Sequence, residues 1–500
     1  MGRIKKYIGR SCKPVFVGAM IFAVSGCSDF LDENPDNRVA LDNLEKAAQL
    51  LVSAYSVASP NFTDWMSDDI PLQTIGTNLR LNHQQLYSWD DVTTGPTDQD
   101  TPDYYWFQTY DAIAHANEVL NILDGIPLNS EEDQARKDAI RSEALLTRAY
   151  GHFMLVNFFA QHVGRSGANR GVPYVKDPET TFLGQYERLS VTRVYNEVED
   201  DLLEALDLVD DSFFNNSGKY HFNRNAALAF ASRFYLFQGD FVRCKQYSDQ
   251  LLGNNPGAFV RDLTGLDFRA ASASITEYPQ LYTSPDINAN LLLMRKLSLV
   301  QRTDFAFGPD VNSYRSLFGS SPFGGFTDTR EDPALTKGQN GIYPLRYQSL
   351  FERSSLNSNV GFPYYIHLAF TGEEVLLNRA ESNVRLGNIP EAVTDLQALT
   401  ERRFTDGAGN KPTLTLSGIR DFVNSGEEDL DLLIYIIEVE RRKEFIMQGM
   451  RWFDIKRFGF TVQHTFIDGS SAVLSADDPR KAFQIPQSAI DVGGLEPNPR

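Results

Sequence analysis

Two stretches of this chain share one layout, and that layout restricts the fold more than any other feature. Residues 225–252 read NAALAFASRFYLFQGDFVRCKQYSDQLL, and residues 373–403 read EEVLLNRAESNVRLGNIPEAVTDLQALTERR. Each carries apolar residues at helical spacing, a tight turn at Gly239-Asp240 or Gly387-Asn388, and a second helical run. The small residues Ala231 and Ala380 fall where two helices must approach closely. A hairpin of two amphipathic helices cannot bury its apolar faces alone, so such units stack on neighbours.

The rest of the chain supplies those neighbours. Residues 40–58 predict a helix with a capping box at Asp42 and Glu45. Residues 104–123 place Trp106, Tyr110, Ile113 and Asn117 on one face; on that spacing Trp106 and Trp89 belong to the core. A long helix opens at Ser130, and another keeps Val194, Val198, Leu202, Leu206 and Val209 in register. Residues 60–101 are dense in Pro, Asn, Asp, Thr and Gly and read mostly as loop. From about 253 to 370 the helical pattern fails, yet aromatics recur (Phe307, Phe318 and Phe323 among them), which argues against disorder. The expected fold class is mostly α: a scaffold of helical hairpins resembling tetratricopeptide units, without a clean repeat period, interrupted by long loop-rich insertions.

The amino terminus predicts export. Arg3, Lys5, Lys6, Arg10 and Lys13 precede an apolar run from Val15 to Val24, then Ser25-Gly26-Cys27. The run is about half of what spans a bilayer. Its flanks are those of a secretory signal, and Val24-Ser25-Gly26-Cys27 resembles the bacterial lipobox. Residues 1–26 are therefore expected to be removed, Cys27 to be lipidated, 27–37 to be a tether, and 38–500 to form a single domain. Within that domain the parts are a first half at 38–250, the insertion at 253–370 and a final region at 371–500. Loss of five basic residues takes the formal net charge from −19 to −24. Such a surface disfavours nucleic acid, whose binding rewards basic patches. Of three cysteines, only Cys244 remains, which excludes an intramolecular disulfide in the mature chain and suits a core position.

Catalytic motifs are missing from the sequence: no HExxH, no Cys/His metal spacing, no G-x-S-x-G and no P-loop. The adjacent acids Asp68-Asp69 and Glu373-Glu374 are poorly placed to flank a scissile bond. Glu373-Glu374 reads instead as helix N-terminal charge after Thr371.

The carboxy-terminal sequence IEVERRKEFIMQGMRWFDIKRFG, followed by KAFQIPQSAIDVGGLEPNP, resembles the SusD/RagB family of Bacteroidetes outer-membrane lipoproteins. The matching residues are Glu440, Arg441, Arg442, Glu444, Phe445, Gly449, Arg451, Trp452, Phe453, Asp454 and Arg457, then Pro486, Gln487, Ile490 and Asn498. Earlier pieces such as LYSWDDV, WFQTYDAIAHANEVL and DTRED also resemble it. Spacing predicts that Arg441, Arg442, Asp454 and Arg457 make ion pairs around a buried Trp452-Phe453. The resemblance implies a non-enzymatic, cofactor-free binding protein held on the outer membrane by its lipid. It would cap a SusC-like TonB-dependent transporter and hand over oligosaccharide, or peptide in RagB-like members. A surface adaptor that binds only protein is the reading from the helical hairpins alone. Sugar binding asks for exposed aromatic rings beside planar polar groups. In the loops those types are Trp65, Asp68, Asn78 and Arg80, then Tyr282, Tyr314 and Phe326.

Overall fold

The computed structural model describes residues 41–76, 79–166, 169–179, 184–215, 218–299, 307–423 and 426–500. Cys27, the signal segment and Asn78 lie outside the described residues.

The two hairpins form as their sequences require. Arg224–Gln238 is capped by Asn223, and Gly239 (φ 85°) turns the chain into Phe241–Leu252. Gly372–Arg385 turns through Gly387 (φ 79°) into Ile389–Thr400. Nothing lies within 4 Å of a Cβ built at either turn glycine, so it is the left-handed backbone, not space, that calls for glycine. The hairpins stack directly: Phe241–Leu252 packs on Gly372–Arg385, although some 120 residues separate them in sequence. Their seam is lined with small side chains. Ala231 and Ala380 are buried, and Ser232 bonds Ser248 at 2.9 Å and accepts from Asn378 at 3.1 Å. Cys244 sits in the same seam, its thiol pushed up to about 11 by burial. The long helices Pro102–Leu123, Glu131–Phe159 and Val191–Leu208 pack in sequence order beside these pairs.

At the first helix the cap differs from expectation. Asn43, not Asp42, accepts from the Lys46 amide, and Leu44–Leu51 is the whole α-helical part. Asp42 instead meets the Lys46 ammonium at 2.8 Å.

The insertion is more ordered than its Gly, Pro and Ser content suggests. Asn290–Leu297 pairs antiparallel with Gly361–Thr371, whose other edge pairs with Ser349–Arg353. The central strand runs straight into the Gly372–Arg385 helix, with Thr371 as its cap. A Cβ at Gly372 would collide with the Phe259 carbonyl, so glycine is required at that junction.

The carboxy-terminal motif is a lock, as its spacing implies. Trp452 is buried and stacks on Phe483 with ring centroids 6.1 Å apart. Arg441 and Arg457 each reach Asp454 at 3.0 Å, and Arg442 reaches Asp69 at 2.6 Å. Asn498 donates to the Phe159 and Phe483 carbonyls at 2.7 Å, tying down the chain end. Glu373 and Glu374 do stand in a first helical turn, but they are buried and paired: Glu374 with Arg233 at 2.6 Å, Glu373 with Arg261 at 2.8 Å. Residues Asp42–Arg500 pack as one unit. No described helix is long and apolar enough to cross a membrane.

Candidate functional site

The connection 90–101 joins Leu81–Tyr87 to Pro102–Leu123, and both its flanks are strained. Trp89 (φ 57°) and Asp100 (φ 63°) hold left-handed backbone without being glycine, a state that costs about 1–3 kcal/mol and persists only where surroundings enforce it. Trp89 is enforced by its Nε1–H on the Met66 carbonyl (3.0 Å) and by stacking on His464 at 4.3 Å. Asp100 is buried and accepts from the Leu299 amide at 2.9 Å. Burial raises its carboxyl to about 6, against the pull of Ser298, Leu299 and Arg80.

One residue further on, Thr101 caps the Pro102–Leu123 helix by accepting from the Tyr104 amide. That cap fixes Tyr104 on the first turn. Burial, then the neighbouring Tyr364 phenol and the Asp100 carboxyl, push the Tyr104 hydroxyl up to about 12. On the sheet, side chains alternate between faces. The register Leu297↔Tyr364, Leu350↔Tyr364 and Glu352↔Phe362 therefore puts Phe362, Tyr364, Arg295 and Glu352 on one face. Farther along, that same face is core, where Leu293, Ile366 and Leu368 pack with Tyr278 and Tyr282. Its other end is open: Phe362 is 52% exposed. The Arg295 guanidinium lies 3.7 Å over the Tyr364 ring and pairs with Glu352 at 2.6 Å. Phe362 and Tyr364 have ring centroids 6.5 Å apart. Phe362 and Tyr364 thus make an aromatic platform edged by a planar guanidinium and a carboxylate. Flat apolar rings take the CH-rich faces of a sugar, and planar polar groups take pairs of hydroxyls. Adjoining the 90–101 connection is a cleft of about 440 Å³ lined by Trp89, Asp91, Thr93, Asp103, Arg480 and Arg500. Among the described residues, no group of three His, Cys, Asp or Glu side chains is gathered as a metal site would need.

The candidates named from sequence fare unevenly. Arg80 is exposed and close enough to act on Asp100, so it borders this region. Trp65 is not an exposed platform: it is fully buried, and its Nε1–H donates to the Phe307 carbonyl at 3.1 Å. Asp68 is engaged by Arg451 through two bonds of 2.7 and 2.8 Å; burial would raise its carboxyl, and the Arg451 and Arg442 charges more than reverse that. Tyr282 is buried beneath the sheet under Arg261, and Tyr314 is buried with its hydroxyl on the Glu331 carbonyl. Phe326 is half-buried in the turn after Phe323. Trp89 and Trp106 are core, as expected. Tyr104, Arg295, Phe362 and Tyr364 were not singled out from sequence. For Phe362 and Tyr364 the signal is the strand pattern in GFPYYIHLAF at 361–370, obscured by its setting among Gly, Ser and Asn.

Two family models match the chain. One, described as starch-binding and associating with the outer membrane (SusD-like), covers residues 29–236; the other, the SusD family model, covers 373–492. Together they take in more than half of the sequence. The chain belongs to the SusD/RagB family. A SusD-like protein P2 from Formosa agariphila is 23% identical over 513 residues, spanning 91% of each chain. Among solved structures, a SusD superfamily protein from Bacteroides thetaiotaomicron superposes with a TM-score of 0.64 at 19% identity, covering 92% of this chain and all of that one. A laminarin-binding SusD-like protein gives 0.61 at 18% identity, covering 92% and 99%. The SusD-like helical scaffold with its loop-rich insertion is therefore the fold of this chain, and the aromatic platform lies at the open end of the sheet within that insertion.

Proposed function

We propose that this SusD/RagB member is a lipid-anchored outer-membrane protein that captures an oligosaccharide on the Phe362–Tyr364 platform. It delivers that ligand to a SusC-like TonB-dependent transporter and acts by binding, not by catalysis. The observation that carries this reading is the open end of the sheet face, where Phe362, Tyr364 and a stacked arginine lie beside an exposed carboxylate. Membership of the family and the likeness to a laminarin-binding SusD-like protein support the choice of a glycan.

Replacing Tyr364 by alanine removes the ring that Arg295 covers. Affinity for neutral oligosaccharides is expected to weaken by about 1–3 kcal/mol, as for aromatic anchors elsewhere. Calorimetry against neutral oligosaccharides and peptides checks this. Equal affinity in variant and wild type removes the platform from the site, and binding of peptides alone moves the ligand to the peptide class. Monosaccharides are expected to bind poorly, since one ring contact does not offset the entropy of association.

The anchor has its own test. Lipidation needs the Cys27 thiol, and acyl chains supply about 0.8 kcal/mol per buried CH₂. Cys27→Ala should leave the signal uncleaved or release the protein from membranes, read by fractionation and mass spectrometry. A processed Cys27→Ala protein still in the membrane fraction would contradict the anchor.

A further inference from the structure

We propose that a second cleft binds the anionic substituents, carboxylate or sulfate, of an acidic oligosaccharide through Arg165, Arg170 and Arg188. The cleft measures about 650 Å³ and shares no lining residue with the aromatic platform. Gln161 and Asn169 also line it and offer amides to sugar hydroxyls. The sugar part of the proposal rests on the glycan-binding reading above; the anion part rests on the charges described next.

This chain is acidic, with a formal net charge of −19, whereas three arginines outnumber the two carboxylates, Asp477 and Glu496, that line this cleft. Arg188 is the central one. Its guanidinium donates to the Gly171 carbonyl (2.8 Å), the Glu496 carbonyl (2.6 Å), the Arg170 carbonyl (3.2 Å) and the Asn498 side chain (2.6 Å). All four acceptors are neutral, so its charge is oriented but not neutralised. Burial, then the neighbouring Arg170 charge, draw it down to about 10, well above neutral pH, so it stays cationic. Close by, two buried lysines are held the same way. Lys456 donates to the Asn157 and Ala160 carbonyls, and Lys481 to the Phe460 (2.6 Å) and Ala476 (2.8 Å) carbonyls. Neither lysine lines the cleft, and burial draws Lys481 down to about 8 and Lys456 to about 7, so the positive charge of the cleft rests on its three arginines.

The two outer arginines do have acidic partners, but exposed ones. Arg165 meets Asp477 at 2.5 Å, and Arg170 meets Glu496; the two carboxylates are 82% and 61% exposed. Ion pairs of that kind are weak in water, so an incoming oxyanion competes for both guanidiniums. Space for Arg165 is built in: a Cβ at Gly459, itself at φ 74°, would overlap the Arg165 guanidinium. Guanidiniums suit carboxylate and sulfate because their forked donors match paired oxygens.

The test is calorimetry of the full-length protein with trigalacturonate, a sulfated galactan tetrasaccharide and the unsulfated galactan tetrasaccharide. The variant is Arg165→Gln with Arg170→Gln, both at exposed or half-exposed positions; Arg188, which ties down the chain end, is left intact. Wild type should bind the anionic probes more tightly than the neutral one, and that preference should shrink as salt rises. In the double variant anionic affinity should fall about tenfold or more, as loss of charge-assisted bonds implies, with neutral affinity unchanged. Unchanged anionic affinity in the variant, or no preference for the anionic probes in wild type, overturns the proposal. If neutral glycans bind while anionic ones do not, this proposal alone fails. If inorganic sulfate competes fully while no sugar adds affinity, the oligosaccharide assignment fails.

Discussion

Trp65→Ala is expected to lower the free energy of unfolding by about 3–5 kcal/mol, the range for truncating a buried large aromatic. Trp65 has 0% of its surface exposed, and its ring lies 3.8 Å, centroid to centroid, from His83. Truncation opens a cavity under the 60–101 segment and takes the indole donor from the Phe307 carbonyl, a buried backbone acceptor. Denaturant unfolding followed by circular dichroism measures the loss as a lowered midpoint at unchanged slope. A variant within about 0.5 kcal/mol of wild type would place Trp65 at the surface after all. Affinity per folded molecule at the Tyr364 platform should barely change, which separates Trp65 from a direct sugar contact.

The same residue marks where sequence reasoning stops. The helical hairpins were legible because their information is local: spacing, turn glycines and caps lie within a few residues of one another. The carboxy-terminal lock was legible from its motif, and Arg441, Asp454 and Arg457 meet as their spacing implies. Trp65 was not, because what buries it comes from far away, Phe307 being 242 residues distant. Pro, Asn and Asp around it describe a chain without regular periodicity, and such a chain is exposed or buried according to what else folds over it. Here Asn61–Met66 is a short 3₁₀ segment buried along its whole length. Asp68 was misread for a similar reason: Arg451, its partner, lies 383 residues on. The platform escaped notice for the converse reason. Tyr364 and Phe362 belong to an alternating strand, and only the register with 290–297 and 349–353 shows which end of the shared face is covered and which is open.

Arg403→Ala is expected to cost about 3–5 kcal/mol, because it takes a charged partner from two buried carboxylates at once. Arg403 lies at 0% exposure, with Nη2 at 2.8 Å from Glu444 and 3.1 Å from Glu373. The network continues through Arg261 on Glu373 and Arg330 on Asp328 and Glu440, at 2.6 to 2.8 Å. It joins the insertion to the Gly372–Arg385 and Asp429–Phe445 helices. Replacing the whole pair by apolar residues of similar volume is often close to neutral, whereas removing one partner is not. Arg403→Met with Glu444→Met should therefore recover much of the stability that either single change loses. The acid response gives an independent readout. Burial alone would raise the Glu444 carboxyl, but Arg403, Arg330 and Arg346 outweigh it and hold it at about 2. A carboxyl depressed in the folded state contributes stability that is complete above its unfolded value, about 4.3, and is lost as pH falls toward the folded value. Wild type should accordingly lose stability steeply between about pH 4 and pH 2, and Arg403→Ala should lose less over the same interval, starting from a lower plateau. Parallel pH profiles for the two proteins would mean that Arg403 does not hold the Glu444 charge, and the lock would have to rest on packing around Trp452 instead.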